Sequence, residues 1–146
     1  MKCQYGCQSY GKRYSCPPDT PTPDQMRSVL DAYQRAILFH VEPSKAGSQP
    51  ARKARAKLLN GLTDLEGEMF KDGYYKAFVI LAGPCHLCKE CAKIKEEPCL
   101  FRQKARPSME ACGIDVYQTA RNNGFFVEPL REKTDPRNDY CLMLVD

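Results

Sequence analysis

The run Cys85-His86-Leu87-Cys88-Lys89-Glu90-Cys91 constrains this chain more than any other stretch. Two successive C-x2-C steps set three sulfurs around one centre on a tight loop, as three corners of a cubane cluster require. A single C-x2-C would leave zinc, redox thiols and cluster all open. Structural zinc sites usually draw ligands as two separated pairs, so the evenly spaced third cysteine points to iron–sulfur. Cys99 is the nearest fourth sulfur; Pro98 precedes it, whereas proline follows the more distant cysteine of bacterial ferredoxins. Cys85, Cys88, Cys91 and Cys99 are therefore expected to form one four-sulfur site. His86 is expected to point away, because its neighbours take the inward positions and thiolates outcompete imidazole for such clusters.

The other cysteines are Cys3, Cys7, Cys16, Cys112 and Cys141, nine in all. An odd count and a start, MKCQYGCQSYGKR, without an apolar stretch argue against export and a disulfide framework. A chain of 146 residues also forms a core without staples, so a cytoplasmic protein is expected. Cys3-x3-Cys7-x8-Cys16-Pro17-Pro18 is a looser second constellation, with a Cys-Pro like that closing a ferredoxin site. Three cysteines can hold a cluster or zinc with one open position. Cys112 is the candidate fourth ligand, which would make two four-ligand sites. Its alternative is core, since Met109, Cys112, Val116 and Ala120 fall on one helical stripe. Cys141 begins an apolar strand and reads as packing. Tyr5, Tyr10 and Tyr14 either shield a cluster or pack.

Charge and motifs exclude other classes. A net charge of +4 is too weak to argue for nucleic acid. Arg52, Lys53, Arg55 and Lys57 form a basic helical turn without interleaved aromatics, read as a solvated face or a docking patch for an acidic redox partner. The longest apolar run, Ala77 to Ala82, is far short of the roughly 20 residues a membrane span needs. There is no Gly-rich phosphate loop, paired-histidine helix or nucleophile elbow.

The expected frame is one small domain over 1–146, an α/β (or α+β) sandwich with helices on a small mixed sheet and Cys-rich metal-binding loops. Residues 1–22 are a Cys/Pro-rich segment, in which Pro17, Pro18 and Pro21, with Pro23 just beyond, forbid regular structure through residue 22. Thr22, Pro23 and Gln25 predict a capped helix start, with Met26, Leu30, Tyr33 and Ile37 on one face. Ile37–Val41 reads as a buried strand stopped by Pro43, and 44–50 as a linker. A helix from Ala51 to Lys71 carries the stripe Ala54, Leu58, Leu62, Leu65 and Met69, with Gly73 as its stop. Tyr74–Ala82 reads as a strand, 83–107 as a cluster-binding loop and Ser108–Asn122 as a helix. Phe125–Leu130 and Tyr140–Val145 read as strands joined by a charged turn at Asp135-Pro136.

The chain resembles domain-of-unknown-function family 2284, predicted metal-binding proteins of archaea and anaerobic bacteria. The matching residues begin with Cys3, Cys7, Tyr10-Gly11-Lys12, Cys16-Pro17-Pro18 and Pro21-Thr22. They continue with Leu65-Glu66, Gly73 to Phe78, and Gly83-Pro84-Cys85 through Cys91. They end with Arg106-Pro107-Ser108-Met109-Glu110-Ala111-Cys112-Gly113-Ile114-Asp115-Val116. The resemblance implies metal binding and also a longer lead-in before the first cysteine than Met1-Lys2. Three functions follow as expectations. The first is a 4Fe–4S protein in electron transfer, or a cluster-bearing subunit with a redox or protein partner; a second cluster is an option. The second is a zinc-stabilised interaction module. The third is an enzyme with an open-site cluster on Cys3, Cys7 and Cys16.

Overall fold

Thr22 starts the first long helix as its side chain dictates. In the computed structural model, which describes residues 1–42, 49–132, 135 and 137–146, the Thr22 hydroxyl accepts the Gln25 N–H at 3.3 Å. The Gln25 side chain accepts the Thr22 N–H at 2.9 Å, closing the capping box. Pro23 fills the first helical position, where its missing N–H costs nothing. Before this helix lies a single turn, α1 (Lys2–Gly6), where irregular chain was expected. The capped helix, α2 (Pro23–Asp31), stops short of Tyr33, and its buried residue is Met26.

The sheet has three antiparallel strands. They are β1 (Arg35–Val41), β2 (Phe78–Ile80) and β3 (Asp139–Val145), in the order β1-β3-β2. A parallel pairing occurs at the isolated bridge Leu81–Ser108. β3 is buried along its whole length and pairs Leu142 with both Leu38 and Ile80. Its alternation feeds two cores. Tyr140, Leu142 and Leu144 pack with Met26, Ile80, Met109, Cys112 and Ala120 on one face. Cys141, Met143 and Val145 pack with Leu62, Val79 and Ala82 on the other. Each large side chain so buried contributes about 1.5–3 kcal/mol. β1 is an edge strand and only half buried, with Ile37 exposed, so the expected buried strand becomes an edge.

The long helix, α3 (Gln49–Lys71), covers the second core. Its C-terminus follows the expected glycine stop. Gly73 has φ +100°, Tyr74 N–H donates to Met69 O, and Gly73 N–H donates to Phe70 O. Its buried stripe is rotated from the expected one. Leu58 and Leu65 are largely exposed, while Leu59, Leu62, Glu66 and Met69 face the sheet. The cause is Glu66, a buried carboxylate that turns inward to do polar work. It accepts the Val79 N–H at 2.7 Å and two bonds from Arg106 at 3.0 and 2.5 Å. Three turns further back, Arg55 pairs with buried Asp139 and donates to Ala82 O at 2.8 Å. Arg55 and Glu66 are three helical turns apart and share one face.

Three further expectations change. The strand at Tyr74–Ala82 shrinks to Phe78–Ile80, because the chain first turns at Tyr74–Ala77. The helix at Ser108–Asn122 is broken: Glu110–Cys112 is a 3-10 turn, and α4 runs Val116–Asn122 from an Asp115 cap. Gly113 breaks it, at φ +79°, where a Cβ would stand 2.8 Å from Pro23 of α2. Met109, Cys112 and Ala120 still reach one core, across the break. Residues Phe125–Leu130 form no strand. The stop at Pro43, most of the 44–50 linker and Pro136 lie outside the described residues. Asp135 itself accepts the Arg131 and Glu132 N–H groups.

Truncating Glu66 strands a buried guanidinium and the Val79 N–H together. Glu66→Ala is expected to lower stability by about 3–5 kcal/mol in urea unfolding. A loss below about 1 kcal/mol would show that the pair does not hold the strand edge.

Candidate metal centre

The segment 83–107 leaves the sheet and returns to it through a closed neck. Leu81 N–H donates to Pro107 O at 2.8 Å, and Met109 N–H donates to Leu81 O at 3.1 Å. Arg55 grips the way in at Ala82, and Glu66 grips the way out at Arg106. Arg106 also lies over the Phe78 ring at 5.1 Å. Between these grips the chain has no strand and only the 3-10 turn Ala92–Lys95, so its backbone is free to present side chains inward.

Cys85, Cys88, Cys91 and Cys99 line one small cavity of about 20 Å³. Its other walls come from Arg13, Tyr14, Ser15, Leu87, Phe101 and Ala105. Among the described residues, no three His, Cys, Asp or Glu side chains meet at single-ion distances. Burial pushes the Cys85 thiol up, and the Leu87 N–H bonded to its sulfur pulls it back. The charges of Cys88 and Cys99 raise it further, while Arg13 lowers it. Four thiols on one cavity are a donor set that fits a thiolate-held metal group.

The N-terminal segment is stapled onto this loop. Arg13 Nη1 donates to Cys85 O at 2.9 Å, Tyr14 OH donates to Glu97 O at 2.9 Å, and Asp19 pairs with Lys93. Thr20 bonds Ala111 O at 2.7 Å. Tyr14 thus reaches the cavity, whereas Tyr5 is exposed. Cys16 is buried here, raised by burial and by the nearby Cys7 and Cys3 thiols, and lowered by the Ser15 hydroxyl and Arg13. Arg13 acts on both Cys85 and Cys16, so one cation faces both cysteine groups. Cys7 is exposed and Cys3 partly so.

Cys112 lies in the apolar core beside Met109, apart from Cys3, Cys7 and Cys16. Burial and then Glu110 push its thiol up to about 11. His86 is exposed and sits outside the cysteine cavity, in a pocket of about 160 Å³ with Arg55 and Arg106. Burial and then the charges of Arg13, Arg55 and Arg137 lower its pKa. The basic turn is partly spent on structure, because Arg55 is bound to Asp139 and Ala82. Sequence reasoning missed Arg13, Ser15 and Phe101 as cavity walls. They sit in loops without periodicity, and the only hint was that Arg13 and Ser15 closely precede Cys16.

A closed-neck loop of thiols braced by a cysteine-bearing N-terminal strap defines a small cysteine-rich protein with a metal-type donor set. The chain matches, over residues 1–145, the family described as predicted metal-binding protein (DUF2284), and it belongs to that family. No curated protein and no solved structure matches it. It is accordingly a member of a family of predicted metal-binding proteins, and no helix among the described residues is long and apolar enough to cross a membrane.

Cys141 supplies an internal control for thiol chemistry. Burial, followed by the Asp139 charge, lifts it from its ordinary 9.0 to about 12. The folded state then holds a proton that the unfolded chain releases, so stability falls as pH rises from about 9 to 12. Cys141→Ala is expected to flatten that fall in unfolding midpoints measured across this range. In mass-mapped alkylation of the native chain at pH 8, Cys7 is expected to react and Cys141 to stay unmodified.

Proposed function

We propose that Cys85, Cys88, Cys91 and Cys99 hold an iron–sulfur cluster of the 4Fe–4S type, and that the protein serves in electron transfer or as the cluster-bearing subunit of a redox assembly. The observation that carries this reading is the single cavity shared by all four thiols. Their spacing, with the triplet C-x2-C-x2-C, supports iron–sulfur over zinc. When bound, such a cluster supplies one-electron transfer.

The chain's own residues do the rest. The neck at Leu81 and Pro107 fixes where the loop begins and ends. The Leu87 N–H bonds the Cys85 sulfur and Arg13 adds positive charge, and both favour thiolate over thiol. Phe101, Leu87 and Tyr14 wall the cavity with apolar surface, which limits water and so sets the potential. Arg52, Lys53 and Lys57 are exposed and suit an acidic redox partner.

Cys3, Cys7 and Cys16 form the second group in this reading, supported by the action of the Cys7 and Cys3 thiols on Cys16. A metal count near eight would assign them a second centre, with Cys112 as the candidate fourth thiol against its place in the apolar core.

Anaerobic purification with iron, zinc and acid-labile sulfide analysis on one sample tests the proposal. About four irons and four sulfides per chain, with colour that bleaches under dithionite, are expected. About eight would bring in the N-terminal cysteines. Cys88→Ser is expected to lose most iron and sulfide. Full retention in that variant would remove Cys88 from the site. Zinc without sulfide, persisting after reconstitution with iron and sulfide, would replace the redox reading with a zinc-stabilised interaction module.

A further inference from the structure

One wall of the cysteine cavity has a second face. Tyr14, Ser15, Cys99 and Ala105 line the cavity on one side and a much larger groove of about 710 Å³ on the other. That volume is in the range of small-molecule sites. The groove lies between α2 and the turn before β2, and its surface is mainly aromatic and apolar. Tyr33, Tyr75, Phe78 and Met26 line it, with Lys76 over the Tyr33 ring and Arg106 over the Phe78 ring.

Its charges are unequal. Asp19 is the acidic group that lines it, and Asp19 is already paired with Lys93. Lys76 is committed as well: its Nζ donates to Ala32 O at 2.8 Å and lies 4.6 Å from the Tyr33 ring centre. Arg102 is exposed and, among the described residues, has neither an ion pair nor a hydrogen bond. The groove therefore offers flat rings and one uncommitted guanidinium, a combination that stacks on a ring and binds an anion.

A second observation points to a ligand. Ser15 is 93% buried by its 7% exposure, and its hydroxyl has no partner within hydrogen-bond geometry. It lies near enough to the Cys16 sulfur to offset part of that thiol's rise. A buried hydroxyl left without a partner carries a free-energy cost, and Ser15 lines both the groove and the cysteine cavity.

We propose that this groove binds a small planar aromatic anion, its ring against Tyr75 and Phe78 and its charge on Arg102, in contact with the wall that carries Cys99. The groove itself does not depend on the metal reading. Its place beside Cys99 does, since that contact would put the ligand next to the cluster.

The test uses 8-anilinonaphthalene-1-sulfonate as the anionic probe and N-phenyl-1-naphthylamine as its uncharged counterpart. Both are titrated fluorimetrically into the full chain before and after loading with iron and sulfide. Saturable binding of one sulfonate probe per chain is expected. Arg102→Glu should weaken that probe about tenfold, the size of one lost ion pair of about 1.4 kcal/mol, and leave the uncharged probe within about twofold. Tyr75→Ala should weaken both. Tyr75 and Arg102 are exposed, so neither variant is expected to alter cooperative unfolding, which is checked in parallel. No saturable binding, or a sulfonate affinity indifferent to Arg102→Glu, overturns the proposal. After loading, the emission of bound probe should be quenched by the nearby cluster; unquenched emission overturns the contact with the Cys99 wall. If the wild-type chain takes up no iron and sulfide, the cluster reading fails, while the titrations still decide the groove.

Discussion

The buried ion pair of Glu66 and Arg106 is the constraint on which the rest of the structure leans. β2 is only three residues long and pairs with β3 along one edge. Its other edge would expose the Val79 N–H to nothing, had the Glu66 carboxylate not accepted it. The same carboxylate takes the Arg106 fork, and Arg106 is where the cysteine loop rejoins the sheet. One side chain thus ties helix, strand and loop exit together. Arg55 does the matching task at the loop entrance, through Ala82 and Asp139. A single helix face therefore clamps both ends of a long irregular excursion, whose many unconstrained backbone angles would otherwise be entropically expensive to order.

That arrangement explains what the sequence made legible and what it hid. The α2 capping box, the Gly73 stop and the β3 strand are local devices, and all three stand where the residues place them. The Ser108–Asn122 stretch misled because its apolar spacing is helical across Gly113. The actual path is set by the close approach of Pro23, which lies 90 positions away in the chain. The α3 stripe misled for a different reason. A charged residue counts as a solvent position in any periodicity argument, yet Glu66 faces inward because Arg106 and Val79 wait there.

The site divides in the same way. Residue types and their spacing are sequence properties, so the grouping of Cys85, Cys88, Cys91 and Cys99 around one cavity was open to reading. The walls are tertiary. Arg13 reaches Cys85 across 72 positions, and Tyr14 reaches Glu97 across 83. Cys112 looked ambiguous because helical periodicity and ligand duty select the same small, apolar-tolerant residue. Only the packing around it, with Met26, Met109 and Tyr140, distinguishes its surroundings from those of the loop cysteines.

The strand order β1-β3-β2 has a consequence for synthesis on the ribosome. β3 follows both of its partners in the chain but lies between them. Neither neighbour can find its pairing edge until residues 139–145 have left the exit tunnel. The cysteine loop emerges well before that, when its neck has no sheet to close against. The thiols spend that interval without the frame that gathers them, which is complete only once β3 is in place. Whatever those thiols take up therefore meets either a nascent, unframed loop or the finished fold.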